Sequence, residues 1–348
     1  MDTIYEILEE IDSSSQRAML ATIVHVEGSA YRKEGTSMLV KRDGAQIGVL
    51  SAGCLEEDIL ARKDSVLARG STKIVYDMRN SDEISWGEGS GCNGKIEVLL
   101  EPLDDIFLQQ LKMLRSQLAK GKEVLMGKKI DVEEQRAECF FLTEDNDVFG
   151  DWEIGDHMDS IKELRNKAAK EGLTCGKQLS LDPLIEVYFH YFQPKPKLFI
   201  FGAGPDAVPL ASFADQSGFT VTVADWRPAL CTKERFPEAV NLMTGFPEEL
   251  MQQMTLTPKD SVILMTHNFH KDKEILSHVK DKPLRYLGVL GSQSRTSRLL
   301  EKKDVPSFIH SPIGLDIGAE GPEQIALSVV AELVKVVKKR PVPEKVST

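Results

Sequence analysis

Hydrophobic positions along the chain fall into two regimes. At the start, Ile4, Ile7, Leu8 and Ile11 share one face of a helical period within an acidic segment, which predicts a helix. MLATIVHV (19–26) then reads as a strand. SMLVKR (37–42) and QIGVLSAG (46–53) flank Asp43, Gly44 and Ala45, a compact hairpin signal. A helix is expected from about Leu55 to Arg69, closed by Gly70, with TKIVYDM (72–78) and KIEVLLEP (95–102) as two further strands. Between those strands lies the loop 79–94, long enough to expect a functional role or disorder. After a helix at about 104–120, residues 121–193 mix short strands (ECFFLT, IEVYFHYF) with a polar helix near 159–171, and no chemistry is read there.

From residue 197 the pattern changes to short apolar runs alternating with helical segments: KLFIFGAG, FTVTVAD, VNLMTG, SVILMTH and YLGVLGS. Such alternation predicts a parallel sheet covered on both faces. A last helix, about Pro322 to Lys339, carries Ile325, Val329, Leu333 and Val336 on one side. Pro194-Lys195-Pro196 is a stiff connector and the expected boundary. The expected organisation is therefore α/β: an N-terminal mixed α+β domain over 1–193, a Rossmann-like parallel sheet with helices on both faces over 197–341, and a tail at 342–348.

The densest chemical signal is LFIFGAGPDAVPLASFADQSGFTVTVADWRP (198–228). A strand stops at Gly202-Ala203-Gly204, a helix follows, and a second strand ends on Asp225. Gly202 permits a tight turn, Gly204 lets backbone approach a phosphate, and the following helix offers unpaired N–H groups to an anion. Pro205 suits a first helical position, and Ala207 replaces the third glycine. Asp225 lies about 20 residues on, where an acid can meet a ribose hydroxyl. A nucleotide-like ligand is expected, the alternative being a tight turn with an empty crevice. Ligands of open α/β sheets bind beyond the carboxyl ends of the strands, so Thr266, His267, Gly291 and Ser292 are expected to join the same crevice. His267, His270 and Asp272 lack a further ligand in view and make a weak metal signal. No metal site and no catalytic residue is assigned. The glycine-rich 312–326 segment, with Asp316, fits either close backbone approach to a ligand or tight packing.

The N-terminal half has its own clusters. GSAYRKEG (28–35) sets Arg32 and Lys33 in a Gly-bounded turn suited to an oxyanion. SAGCLEED (51–58) puts Cys54 at a strand-to-helix junction, where a helix N-terminus lowers a thiol pKa. GEGSGCNG (87–94) repeats the theme around Cys92. Both thiols suit soft-metal contact, although cysteine also serves as a small buried hydrophobe. Cys139, Cys175 and Cys231 read as structural, and Trp86 as a packing anchor.

Charge and composition narrow the classes. A net charge of −11 over 348 residues argues against nucleic acid or an anionic membrane as the main partner. No apolar run approaches a membrane span, and the acidic amphipathic start is no signal peptide. Five cysteines without a CxxC pair argue against a disulfide framework. A soluble, cytoplasmic protein is expected.

Taken in order, GSAYRKEG, SAGCLEED, WGEGSGCNGKIEVLLEP, the GAG turn, TH, LGVLGS and PIGLDIGA resemble the XdhC/CoxI family of xanthine dehydrogenase accessory factors. The match spans residues of about 10–105 and 195–335. The family often has Pro at Tyr31, Gly at Ala52 and Cys-Gly-Gly at Cys92-Asn93-Gly94. The resemblance implies a chaperone without turnover of its own. Such a protein binds the molybdenum cofactor (molybdopterin or its dinucleotide form), holds it while a cysteine desulfurase supplies sulfur, and delivers it to an apo xanthine dehydrogenase-type enzyme. Arg32, Cys54, Cys92, Gly202, Gly204, Asp225, Thr266, His267, Gly291 and Asp316 are the residues expected to contact it. The oligomeric state, a homo-oligomer included, stays open. The rival reading is an NAD(P)-dependent oxidoreductase using the Gly202–Gly204 crevice, and a third is a nucleotide-sensing regulator.

Overall fold

The computed structural model describes residues 3–13, 17–51, 53, 55–79, 93–131, 136–178, 187–237, 239 and 241–338. Cys54, Cys92 and Trp86 lie outside them. The chain divides into two compact units, built on Asp2–Pro194 and on Lys195–Lys339.

The first unit is built on two antiparallel sheets. Its elements begin with α1 (Thr3–Ser13), β1 (Ala18–Ser29), β2 (Ser37–Lys41), β3 (Gln46–Ile47), α2 (Glu56–Arg69), β4 (Thr72–Asp77) and β5 (Asn93–Pro102). The strands order as β3-β2-β1-β5-β4. The hairpin pairs Leu39 with Ile47 across the Asp43-Gly44 turn, and Gly70 caps α2 as the sequence suggests. Then follow α3 (Asp105–Ala119), β6 (Val124–Asp131), β7 (Arg136–Thr143), β8 (Val148–Gly150), α4 (Met158–Glu171), β9 (Cys175–Gln178) and β10 (Val187–Phe192). Here the order is β8-β7-β6-β10-β9. The 121–193 segment, which reads from sequence as loosely mixed, is thus a second complete sheet.

Alternation of side chains along the strands explains the layering. Leu20, Val24, Leu39 and Leu99 of the first sheet share one core with Val124, Met126, Phe141 and Tyr188 of the second, together with the apolar faces of α1 and α3. The opposite faces are covered by α2 and its N-cap residue, through Leu55, Ile59 and Val66, and by α4, through Ile161, Leu164 and Ala168. Across the shared core Lys128 of β6 meets Glu101 of β5 at 2.6 Å, both side chains 4% exposed. A cavity beside the pair, with room for about one water molecule, is lined by Thr22, Ser37, Tyr188 and His190.

The second unit is a doubly wound fold. It runs β11 (Lys197–Phe201), α5 (Ala207–Gln216), β12 (Thr220–Asp225), β13 (Asn241–Thr244), α6 (Pro247–Gln253), β14 (Ser261–Leu264), α7 (Phe269–Val279), β15 (Tyr286–Val289), α8 (Gln293–Leu300), β16 (Ile309–His310) and α9 (Gly321–Lys338). The parallel sheet has the order β13-β12-β11-β14-β15-β16. Leu198 and Ile200 of β11 point into the layer formed with α5 and α9. Phe199 and Phe201 point to the opposite layer, with α6, α7 and α8. The strand order reverses between β11 and β14, so the crevice of such a sheet opens beyond the ends of these two strands. One detail departs from the sequence reading: α5 begins at Ala207, and Pro205 belongs to the preceding turn. Among the described residues no helix is long and apolar enough to cross a membrane.

Candidate functional site

Gly202, Gly204, Asp225, Thr266, His267 and Gly291 all lie at the carboxyl ends of the second unit's strands. The local chemistry explains each position. Gly202 has φ 119°, and a Cβ there would sit 2.4 Å from the Met265 carbonyl oxygen. Its glycine is therefore demanded by the neighbouring strand as well as by the turn. Gly204 is different: a Cβ would meet His267 Cδ2 at 3.6 Å, an ordinary contact.

Asp225 is engaged within the chain itself. Its carboxylate is buried, and Oδ2 accepts from the Ala203 N–H (2.7 Å) and Arg227 Nη2 (2.8 Å). Oδ1 accepts from the Arg227 N–H (2.8 Å) and Arg227 Nε (2.9 Å). A carboxylate offers about four acceptor positions, and all four are filled. Burial alone would raise the Asp225 pKa, but the Arg227 and backbone donors outweigh it and hold the group below its ordinary value. The residue is a tether between the Gly turn and Arg227, whose guanidinium in turn lies 4.4 Å over the Trp226 ring.

His267 follows β14 with φ 57°, a left-handed conformation uncommon for a non-glycine residue. Its Nε2 reaches Asp206 Oδ2 at 2.9 Å, across the turn. Thr266 is buried and gives its hydroxyl to Asp272 Oδ1 at 2.6 Å. Asp272 also accepts from Arg295 Nη2 (2.6 Å). Asp272 is thus a buried brace of the β14 and α8 ends, not a companion of His267 and His270. Among the described residues no group of three or more His, Cys, Asp and Glu could hold a metal ion. Gly291, with φ 119°, packs against Arg295, where a Cβ would stand 3.1 Å from Cδ.

The 312–319 segment is divided between the two roles that its glycines allow. Gly314 is a packing glycine: a Cβ would lie 2.2 Å from Ser328 Oγ of α9. Its N–H donates to Glu332 Oε2, which also accepts from Tyr286 Oη, while His310 Nδ1 meets Oε1. Burial raises the Glu332 pKa, and these donors more than reverse the effect. Farther on, Gly318 is open and Asp316 is exposed.

In the first unit, Arg32 is exposed, 5.4 Å from the Tyr31 ring, in the 28–35 turn. Glu34 anchors that turn by accepting from the Val26 N–H (3.0 Å) and pairing with His25 Nδ1 (2.9 Å). The residues around Cys54 are similarly fixed. Glu56 accepts from the Leu50 and Ser51 N–H groups, and Ser51 Oγ accepts from Gly53 and Leu55.

Two arginines escape the sequence reading. Arg227 follows the acid by two positions, a spacing that could have signalled a local ion pair. Arg235 gives no such signal: it lies in an irregular segment, yet its Nη1 donates to the carbonyls of Ala203 and Leu230, both at 2.9 Å.

Residues 198–333 match the XdhC Rossmann domain, 12–77 the XdhC and CoxI family, and 105–193 the BH1974-like, central domain. Over 343 residues the chain is 42% identical to a protein of Bacillus subtilis (strain 168) described as a probable xanthine dehydrogenase subunit, covering 97% of this chain and 99% of that protein. It is 24% identical over 348 residues to the molybdenum cofactor insertion chaperone PaoD of Escherichia coli (strain K12), covering 96% and 88% respectively. A crystal structure of a protein described as a xanthine dehydrogenase from Bacillus halodurans matches with a TM-score of 0.85 and 41% identity, covering 99% of this chain and 98% of that one. With a near full-length relative at this identity, and with both ends of the chain matched, the chain belongs to the XdhC and CoxI family.

Proposed function

We propose that the chain is a maturation factor for a xanthine dehydrogenase-type molybdenum hydroxylase. It takes up the molybdenum cofactor as cargo, presents it for sulfuration by a cysteine desulfurase, and passes it to the apoenzyme. Similarity across nearly the whole length of a molybdenum cofactor insertion chaperone supports this reading. So does the chemistry of the crevice, because molybdopterin carries a phosphate and the Gly202–Gly204 turn lies beside cationic donors.

Against an NAD-dependent oxidoreductase stands the state of Asp225, and the similarity to an insertion chaperone carries the choice of a carrier. An NAD-dependent oxidoreductase of this fold recognises the ribose of its dinucleotide through an acid at that position, and here the acid is engaged by Arg227 and the Ala203 N–H. A pterin phosphate needs no such acid. In the first unit, Cys54 and Cys92 are thiols of a kind suited to a soft metal.

The test is native mass spectrometry of the chain purified from a molybdate-replete host. The expected result is a bound species with the mass of a phosphorylated pterin. Recovery of a nicotinamide dinucleotide in its place would contradict the proposal.

A further inference from the structure

Both polar groups of one residue in the Gly turn are held by an arginine-linked contact. The Ala203 N–H donates to Asp225 Oδ2, which also accepts Arg227 Nη2, and the Ala203 carbonyl accepts Arg235 Nη1. Arg235 thus donates directly to the peptide segment at the switch point of the sheet, and Arg227 is tied to it through Asp225.

Their charge states differ. Arg227 is neutralised by Asp225, yet its side chain is 39% exposed and its Nη1 has no partner among the described residues. Arg235 donates only to carbonyl oxygens and has no carboxylate within ion-pair distance among the described residues. Asp206, the other acid of the turn, lies 2.9 Å from His267 Nε2 and is a carboxylate outside this arginine cluster. Around Ala203 the formal charge of Asp225, Arg227 and Arg235 is thus positive by one. A guanidinium is a planar fork of donors that suits a phosphate, and it keeps its charge at any physiological pH.

We propose that Arg227 and Arg235 bind the phosphomonoester of the crevice ligand, and that the crevice selects ligands by that phosphate and not by a ribose diol. The assignment deepens the carrier reading and rests on it for the identity of the natural ligand. Asp225 is then a positioning residue, which orients Arg227 and the Ala203 N–H together.

The experiment uses the full chain with CMP and cytidine, two probes that differ only in the phosphate. In calorimetric titration CMP should bind at least roughly tenfold more tightly than cytidine, as expected for hydrogen bonds to a charged group. Arg227→Gln and Arg235→Gln should each abolish most of that preference while leaving cytidine binding unchanged. Because Arg235 also braces two carbonyls, a second readout avoids variants: CMP, and not cytidine, should protect Arg227 and Arg235 of the wild-type chain from phenylglyoxal, as read by peptide mass spectrometry. Equal binding of the two probes, no binding of CMP, variants that keep the preference, or absence of protection would each overturn the proposal. A chain that activates an apoenzyme but shows no phosphate preference would sink this assignment alone. A chain with the preference but no bound pterin would sink the carrier reading alone.

Discussion

His267 Nε2 lies 2.9 Å from Asp206 Oδ2, so a residue at the end of β14 reaches over the turn that follows β11. The pair is partly exposed, at 54% and 26%. It therefore contributes about 0–1 kcal/mol to stability, and its importance is electrostatic. Asp206→Asn should leave the melting temperature within about 2–3 °C and strengthen CMP binding several-fold, because a like charge beside the phosphate is removed. Weaker CMP binding in that variant, measured by calorimetry, would show that Asp206 is a ligand contact and not a counter-charge.

Gly202 and Gly204 should respond differently to alanine. Gly202→Ala forces a Cβ to 2.4 Å from the Met265 carbonyl in a backbone region that suits glycine. It should cost about 1–3 kcal/mol from the backbone alone, with the clash in addition, visible as a lowered denaturation midpoint. Gly204→Ala meets only His267 Cδ2, at 3.6 Å. It should fold normally and lose anion affinity. Similar destabilisation by both substitutions would contradict this division.

In the first unit the Lys128–Glu101 pair joins the two sheets inside their shared core. Lys128→Ala leaves a buried carboxylate without its partner and should destabilise by about 3–5 kcal/mol. The double variant Lys128→Met, Glu101→Leu should recover most of the loss. Urea unfolding of the three proteins checks this, and a double variant as unstable as the single one would refute it.

His190 sets a pH dependence for the same unit. Burial, and then the nearby Lys128, lower its pKa from the ordinary 6.5 to about 3. Its Nδ1 lies 3.4 Å from Tyr188 Oη, and its ring stacks on Phe192 at 3.9 Å. Because the folded state holds the neutral ring, the unfolded state binds the extra proton between pH 6.5 and 3. Stability therefore falls as the pH drops below 6.5, by up to about 2 kcal/mol at pH 5. His190→Gln should flatten that part of the profile in thermal melts between pH 7 and 5. An unchanged slope would remove His190 as the cause.

Much of this is legible in the sequence because the doubly wound unit writes its order locally. Each strand of β11 to β15 is a short apolar run ending in a glycine or polar residue, and the alternation fixes the parallel topology. The two-residue β16 has no such run and gives no signal. The 121–193 sheet is hidden for a different reason. Its short strands pair antiparallel across long sequence separations, as in Val187 with Lys129, and nothing local announces that register. The same distinction holds at the site. The Gly turn is a contiguous motif, whereas Arg235 acquires its meaning only when the fold brings it to the Ala203 carbonyl, 32 positions away. Asp225 shows the converse: its position in the motif is right, but its partner Arg227 changes what the acid can do.

The central claim is tested most directly by reconstitution. The chain, supplied with molybdenum cofactor, is added to an apo xanthine dehydrogenase-type enzyme, and hydroxylase activity is followed beside NADH consumption by the isolated chain. The account predicts that the partner gains activity only when chain and cofactor are both present, that Cys54→Ser or Cys92→Ser reduces the gain, and that the chain alone consumes no NADH. Robust unaided NADH turnover, with no effect on the partner, would contradict it.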